Sequence, residues 1–342
     1  MAGPLRVEHD VSVARWLPAA LADDGSVAVV VPPIFEAYVR ILHPASLEVP
    51  TGETDAWGNP EFASHEITWA EAASLIGDRL GERQPWTLWL SRFGEVAHTM
   101  PEGSTMVDGH TVPAATVLRT GTGDELAVPA GSRISEPFDG DIPIDLLARL
   151  ARLLLEHGAA AADASAGAAT PDAEVLVAVW EGRELDVANP GAVFGWSSDE
   201  PVSAAEQRRL QREAQAAHEA ETRASIDPEV TRAMQAGHVL GLPRELQGRG
   251  HVLLRGRLGA LTDPVWQQTA GLAWRADWPF QGRTPNAIWP SEPTGAPAWF
   301  VATELDLDCT LVGGSAELIS RLEADPAFET ERIRPADTLI DR

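Results

Sequence analysis

The sequence predicts an α+β fold in which a mixed or mainly antiparallel sheet is flanked by helices. Short β-branched or alternating apolar runs recur along the chain, and a leucine-rich run of helical period lies between two groups of them. The 342 residues are 44% hydrophobic, enough to bury a large core without disulfides or metal ions. We therefore expect one α+β domain across residues 1–342, interrupted by two insertions.

The first strands are predicted between residues 26 and 43. A β-branched run and an alternating run are separated there by Pro32 and Pro33, and proline interrupts a strand. In the second run Tyr38 and Arg40 share one face, because side chains alternate along a strand. Further strands are predicted at residues 174–180, 251–258 and 299–312.

Two helices carry sequence signals for their ends. Thr68 and Glu71 have the spacing of a capping box, which predicts a helix over residues 68–81. Leucines at helical spacing fill residues 142–157, and Gly158 is expected to end that helix.

Two segments are predicted to be insertions into the domain. Residues 158–173 are rich in Ala and Gly and lack bulky apolar groups, so we expect a flexible loop there. Residues 203–226 interleave Arg with Glu, a pattern typical of a solvated helix. A short helix is predicted near residues 228–237.

Charge and composition exclude several classes of function. The formal net charge of −25 would repel phosphate backbones and anionic lipids, so neither a nucleic acid nor a membrane is expected as a partner. The chain shows no signal-peptide pattern and no long apolar window, so we expect a cytoplasmic protein. All 26 basic residues are arginine, which excludes chemistry that needs a lysine, such as that of P-loop proteins, kinases and Schiff-base enzymes.

Six segments, in order, carry a family resemblance: AYVRILHPA, ITWAEAA, VAVWEG, RGHVLLRG, PNAIWP and WFVATELDLDCTLVGGS. The series resembles a family of uncharacterised proteins common in high-GC actinobacteria, over roughly residues 30–335. In that family WEG is followed by a segment similar to Gly-Trp-Gly, whereas Arg183, Glu184 and Leu185 follow it here. The resemblance implies membership of the family without implying an activity.

The acidic motif ELDLD, residues 304–308, is the strongest candidate for a polar site. On one continuous strand Glu304, Asp306 and Asp308 would share a face. Three carboxylates in line are destabilising unless an arginine or a cation lies between them. The motif therefore predicts a divalent cation, with no other cofactor expected, or an arginine partner from among Arg40, Arg255 and Arg257.

Residues 306–312 also resemble the first motif of haloacid-dehalogenase-type phosphatases. That resemblance implies Asp306 as the nucleophile, Asp308 as the general acid and base, and a magnesium ion. Against it, few residues follow the motif, the family's lysine is missing, and Cys309 replaces the flexible glycine. A DxD glycosyltransferase site is a further alternative, because paired carboxylates hold manganese and a nucleotide sugar, although the chain shows no Gly-rich nucleotide loop.

The histidines and tryptophans give weaker signals. The nine histidines, which include His43, His65, His98 and His251, never have the i, i+4 spacing of a helical zinc site. Four tryptophans are concentrated in a Pro-rich segment, where they either pack in the core or form an aromatic binding wall: Trp266, Trp274, Trp278 and Trp289.

Two potential nucleophiles are better explained by structure. Cys309, the one cysteine of the chain, follows Asp308, whose negative charge should raise the pKa of the thiol and make it a poor nucleophile. A single cysteine also excludes a multi-cysteine zinc site. Ser315 follows a predicted Gly-Gly-Ser turn and fits the N-cap of a last helix over residues 316–324.

Together these observations favour a non-enzymatic binding protein that presents an acidic surface to a protein partner or a small ligand. The alternative is a metal-dependent hydrolase or transferase. It would act on a phosphoester or a nucleotide sugar through Glu304, Asp306 and Asp308.

Overall fold

The structure is a computed structural model of the chain. It describes residues 4–22, 24–54, 60–76, 110–111, 116–119, 125–135, 137, 140–164, 173–180, 226–241, 250–272, 284–291, 297–304 and 307–339, with scattered positions between 208 and 224. The predicted sites at Asp306, His98, Trp274 and Trp278, and residues 181–200, which include the segment after WEG, lie outside the described residues.

The fold is α+β, as predicted, and the described strands pair antiparallel. Strands of the described chain are β1 (Leu5–Val7), β2 (Ala37–Leu42), β3 (Ala45–Thr54), β4 (Pro60–Ile67), β5 (His110–Thr111), β6 (Thr116–Arg119), β7 (Glu125–Val128), β8 (Arg133–Ser135), β9 (Glu174–Trp180), β10 (Val239–Gly241), β11 (Gly250–Arg257), β12 (Ala287–Pro290), β13 (Phe300–Thr303), β14 (Cys309–Gly314) and β15 (Thr330–Ile333). Helices are α1 (Trp16–Ala20), α2 (Trp69–Ile76), α3 (Ile144–Ala164), α4 (Pro228–Gln235) and α5 (Ala316–Ala324).

Most of these strands belong to one large sheet. Its order is β1-β11-β9-β12-β13-β14-β2-β15, and β10 also pairs with β11. A smaller sheet has the order β4-β3-β8-β5, and β6 pairs with β7 as a two-stranded ribbon. Single helical turns of the 3-10 type lie at Val11–Ala14, Val27–Val29, Leu258–Thr262 and Trp266–Thr269.

The large sheet is buried on both faces. Along β2, Tyr38 and Leu42 join one apolar cluster and Val39 and Ile41 join another, which is the predicted alternation. The first cluster packs against the small sheet, α2 and the N-terminal segment, whereas the second packs against α3, α4 and α5. The sheet is therefore the middle layer, and only its two ends and its edges are available for a site.

Two predicted helix starts are confirmed by their hydrogen bonds. The Glu71 backbone N–H donates to Thr68 Oγ1 at 3.1 Å, and the Thr68 backbone N–H donates to Glu71 Oε2 at 2.7 Å, so the capping box is complete. At α5 the Leu318 backbone N–H donates to Ser315 Oγ at 3.1 Å. Ser315 is therefore an N-cap rather than a nucleophile.

Helix α3 is longer than predicted. It continues through Gly158 to Ala164, so the first part of the predicted loop 158–173 is helical. Gly158 does not have a positive φ, and a helix-interior glycine costs only about 1 kcal/mol relative to alanine. The alanines that follow have the highest helix propensity, so the predicted stop at Gly158 is wrong.

The strand predicted at the start of the region 26–43 is also wrong. Val27–Val29 form a 3-10 turn, because Ser26 Oγ accepts a hydrogen bond from the Ala28 backbone N–H and Asp24 in turn holds Ser26. The valines of this turn are buried. A short buried apolar run of this kind does not distinguish a strand from a helical turn.

The predicted strand 299–312 is two strands joined by a turn. Strands β13 and β14 pair with each other, with Thr303 opposite Thr310, so residues 304–308 connect them. The predicted Gly-Gly-Ser turn is wrong as well, since Gly313 and Gly314 belong to β14. A Cβ atom at Gly313 would lie 2.5 Å from Phe35 Cδ2, which explains a glycine in a buried strand.

None of the described helices is both long enough and apolar enough to cross a membrane. Between positions 208 and 224 the described residues are helical, and Arg209 pairs with Glu213 at the i, i+4 spacing.

Candidate functional site

Polar residues gather at one end of the large sheet. Strands β2, β9 and β13 finish at this end and β12 and β14 begin there, as the pairing of Leu42 with Cys309 and of Ala287 with Ala178 shows. We call it the polar end, and its described members are His43, Asp141, Trp180, Thr284, Asn286, Thr303, Glu304, Asp308 and Thr310.

A buried chain of hydrogen bonds lies inside the polar end. His43 Nε2 is 2.9 Å from Thr310 Oγ1, which is 2.8 Å from Thr303 Oγ1. His43 and Thr310 are completely buried, so these bonds form in a medium where an unpaired polar group is costly. The three side chains connect β2, β14 and β13 across the face that packs against the helices.

The main chain of the polar end is fixed from several sides. The His43 backbone N–H donates to Asp308 O at 2.9 Å, and Trp69 Nε1 donates to His43 O at 2.7 Å. The Gly140 backbone N–H donates to Leu307 O at 2.9 Å. These bonds tie the turn between β13 and β14 to β2, to α2 and to the segment that leads into α3.

The turn formed by residues 304–308, the acidic connection, carries the predicted carboxylates. Glu304 follows β13 and Asp308 precedes β14, and both are partly buried. The prediction that the acids share one face of a continuous strand is wrong, because β13 and β14 form a hairpin. That hairpin places the described acids at opposite ends of a five-residue turn.

Two of the three predicted arginine partners lie elsewhere. Arg255 and Arg257 are at the opposite end of β11, where Arg255 pairs with Glu8 at 2.6 Å and with Glu174 at 2.7 Å. The hydrogen bond from Arg255 lowers the pKa of the Glu174 carboxyl, so this end of the sheet holds a closed ion-pair cluster. Arg40 is on β2 and its Nε lies 3.1 Å from Glu331 Oε2.

Further carboxylates surround the polar end. Glu66, on β4 opposite Ser46, is close enough to Asp145 at the start of α3 for the two charges to interact. Desolvation at this crowded end, followed by the charge of Asp145, raises the pKa of the Glu66 carboxyl, although the residue keeps exposed surface. The charges of Glu66 and Asp145 therefore repel each other at this end of the sheet.

Glu66→Gln is expected to stabilise the protein near pH 8. A carboxyl whose pKa is raised by folding favours the folded state in its protonated form. This contribution to the free energy of unfolding is complete below the ordinary pKa of glutamate. It is lost as the pH rises through the pKa that Glu66 has in the folded protein. Glutamine resembles the protonated form, so the thermal midpoints of the two proteins should coincide near pH 4 and separate as the pH rises. Because Glu66 is exposed, we expect a gain of only about 0.2–0.5 kcal/mol.

Glu61→Gln is the control for this prediction, because it removes the same charge from the same strand without removing the neighbour of Asp145. An equal gain from Glu61→Gln would show that relief of the net charge, rather than the Glu66–Asp145 pair, is responsible.

Two of the four tryptophans of the Pro-rich segment, Trp266 and Trp289, belong to the described residues, and both are core residues. Trp289 is 1% exposed and its ring stacks on Phe300 with centroids 5.4 Å apart, on the face of the sheet towards the N-terminal segment. Trp266 is 2% exposed and packs on the opposite face. These two residues therefore do not share a binding wall, and for them the packing alternative is correct.

Cys309 is completely buried in the hairpin, as the first residue of β14. Burial, and secondarily the charge of Asp308, raises the pKa of its thiol to about 12. The shift has the predicted direction, with burial rather than Asp308 as the larger cause, and the poor nucleophilicity of Cys309 stays a prediction.

Sequence reasoning missed the central position of His43. The expectation was a surface or hydrogen-bonded histidine, and His43 is hydrogen-bonded. The alternation that buries Val39 and Ile41 also places position 43 on the same face of the strand. The approach of Glu66 to Asp145 joins two segments far apart in the sequence and had no local signal. Within the described chain, no three His, Cys, Asp or Glu side chains are close enough together to hold a metal ion.

The resemblance to actinobacterial proteins stays a prediction. The resembling segments include the strands of the polar end, β2, β9, β12, β13 and β14. No protein-family model, curated protein or solved structure matches the chain significantly.

Proposed function

We propose that the protein is a non-enzymatic binding protein, located in the cytoplasm, that receives a cationic partner at the polar end of its sheet. The observation that carries the proposal is the gathering of Glu66, Asp145, Glu304 and Asp308 at this end of a chain with a formal net charge of −25. A positively charged ligand would relieve the repulsion between Glu66 and Asp145 and would be attracted by the net charge of the chain.

The construction of the polar end supports a binding role. The hydrogen bonds among His43, Thr310 and Thr303, and the backbone bonds to Asp308 and Leu307, hold these described residues in place before any partner arrives. A preformed surface loses less conformational entropy on binding than a flexible one. Burial raises the pKa of the Cys309 thiol at this end, and Ser315 caps α5 at the opposite end of β14, so neither residue is proposed as a nucleophile.

Titration with fluorescein-labelled octa-arginine tests this proposal. Each close carboxylate is worth about 1 kcal/mol in water, so Glu66→Gln/Asp145→Asn is expected to weaken binding about tenfold or more. Glu229→Gln/Glu317→Gln removes the same charge from α4 and α5, away from the polar end, and should change the Kd less than about twofold. Equal losses in both double variants would show that only the net charge attracts the peptide.

A metal-dependent hydrolase or transferase is the second candidate function. It is favoured by the placement of Glu304 and Asp308 in one short connection, with Asp306 between them in the sequence. This candidate predicts that millimolar Mg²⁺, Mn²⁺ or Ca²⁺ raises the thermal midpoint of the wild type and not that of Asp306→Asn. A ligand at 100 times its Kd stabilises by about 2.7 kcal/mol. The binding proposal predicts that the two proteins respond equally.

A further inference from the structure

A pair of histidines lies where the segment that follows β1 approaches the residue before β10. The imidazole rings of His9 and His238 have centroids 5.7 Å apart and are inclined at 80°. The two residues are 229 positions apart (238 − 9) and both are exposed. The fold therefore brings together, at the surface, two side chains of the type that most often ligates transition metals.

The separation of the rings suits a shared metal ion. With a metal–nitrogen distance of about 2.0–2.1 Å, each ring centroid lies about 3.2 Å from the ion, so two ligating imidazoles have centroids about 4.5–5.5 Å apart. The observed 5.7 Å exceeds this range by a few tenths of an ångström. Small χ rotations of two exposed side chains are sufficient to close that difference.

The backbone holds both histidines in place. Helix α4 ends at Gln235, Gly237 beyond it has a φ of +69°, and the His238 backbone N–H donates back to Ala233 O at 2.9 Å. On the other side, the Glu8 backbone N–H donates to Leu253 O at 2.8 Å, and Asp10 Oδ1 accepts from the Ser12 backbone N–H at 3.0 Å. The residues before and after His9 are thus fixed, and both Cα positions are set before a metal binds.

We propose that His9 and His238 form a binding site for a borderline-soft divalent transition metal ion, such as Zn²⁺, Ni²⁺ or Cu²⁺. The two imidazoles supply nitrogen ligands, and water completes the coordination. Nitrogen ligands select these ions over Mg²⁺ and Ca²⁺, which prefer oxygen. The ion links the segment that follows β1 to the turn that follows α4, and the net charge of −25 raises the local concentration of cations.

Calorimetric titration of the folded protein with NiCl₂ tests the site directly. The expected result is one equivalent of Ni²⁺ bound in the micromolar range by the wild type and at least about tenfold weaker binding by His9→Gln and by His238→Gln. Tenfold corresponds to about 1.4 kcal/mol. His65→Gln, which removes an exposed histidine from β4, should bind like the wild type, and MgCl₂ should give no such binding.

A thermal scan supplies the second measurement. NiCl₂ at about 1 mM should raise the midpoint of the wild type and of His65→Gln by on the order of 2 °C, and excess EDTA should reverse the shift. Metal-free scans establish that His9→Gln and His238→Gln are folded. Nickel binding that survives in both of these variants, or its absence from the wild type, would overturn the proposal. Neither variant alters the polar end, so octa-arginine binding should persist in both, which separates this test from that of the proposed function.

Discussion

Trp289→Ala is expected to lower the free energy of unfolding by about 3–5 kcal/mol, the usual cost of removing a buried tryptophan or phenylalanine side chain. Trp289 is 1% exposed, stacks on Phe300 at 5.4 Å and meets Trp16 edge-on at 6.4 Å. Its removal leaves a cavity between the large sheet and the N-terminal segment. Since globular proteins have a stability of about 5–15 kcal/mol, this loss should be plain in urea unfolding followed by fluorescence.

Trp289→Phe is the matched variant, because it keeps an aromatic ring against Phe300 while removing part of the volume. Trp289→Phe should lower the free energy of unfolding by much less than Trp289→Ala does. If Trp289→Ala unfolds within about 1 kcal/mol of the wild type, the packing of the N-terminal segment on this face of the sheet is wrong.

Cys309 is expected to resist iodoacetamide in the folded protein at pH 8 and to react within minutes in 6 M guanidinium. The thiolate is the reactive species, and a rise in pKa from about 8.5 to about 12 reduces its population about 10³-fold. Burial of the sulfur adds a steric barrier. Because the chain has one cysteine, the intact mass reports the modification without ambiguity.

Fast alkylation of native Cys309 would contradict the packing of this end of β14 in the first apolar cluster, since that packing buries the thiol. The comparison of folded and unfolded protein in one experiment controls for the activity of the reagent.

The sequence was a good guide wherever local chemistry decides the structure. The capping box at Thr68, the N-cap at Ser315 and the alternation along β2 each depend on neighbours within a few residues, and each was predicted correctly. The predicted helix end at Gly158 was wrong because this glycine has no positive φ and the alanines that follow it favour a helix. The predicted strand at Val27 and Val29 was wrong because these β-branched residues are buried in a 3-10 turn.

The candidate site was harder to predict because it depends on pairing between distant segments. Residues 304–308 read as one strand with an acidic face, whereas the pairing of Thr303 with Thr310 makes them a turn. His43 reaches Thr310 across 267 positions, and Glu66 meets Asp145 only because β4 and the start of α3 are brought to the same end of the sheet. Spacing within one segment contains no information on such contacts.

Hydrogen–deuterium exchange with and without saturating octa-arginine tests the central claim most directly. If the polar end receives the cationic partner, amide exchange should slow in the segments 60–67, 140–147 and 303–310. It should be unchanged around Arg255 and Glu174, where the ion pairs are already closed. Slower exchange confined to other segments, or no change at all with the peptide bound, would contradict the assignment of the polar end as the binding surface.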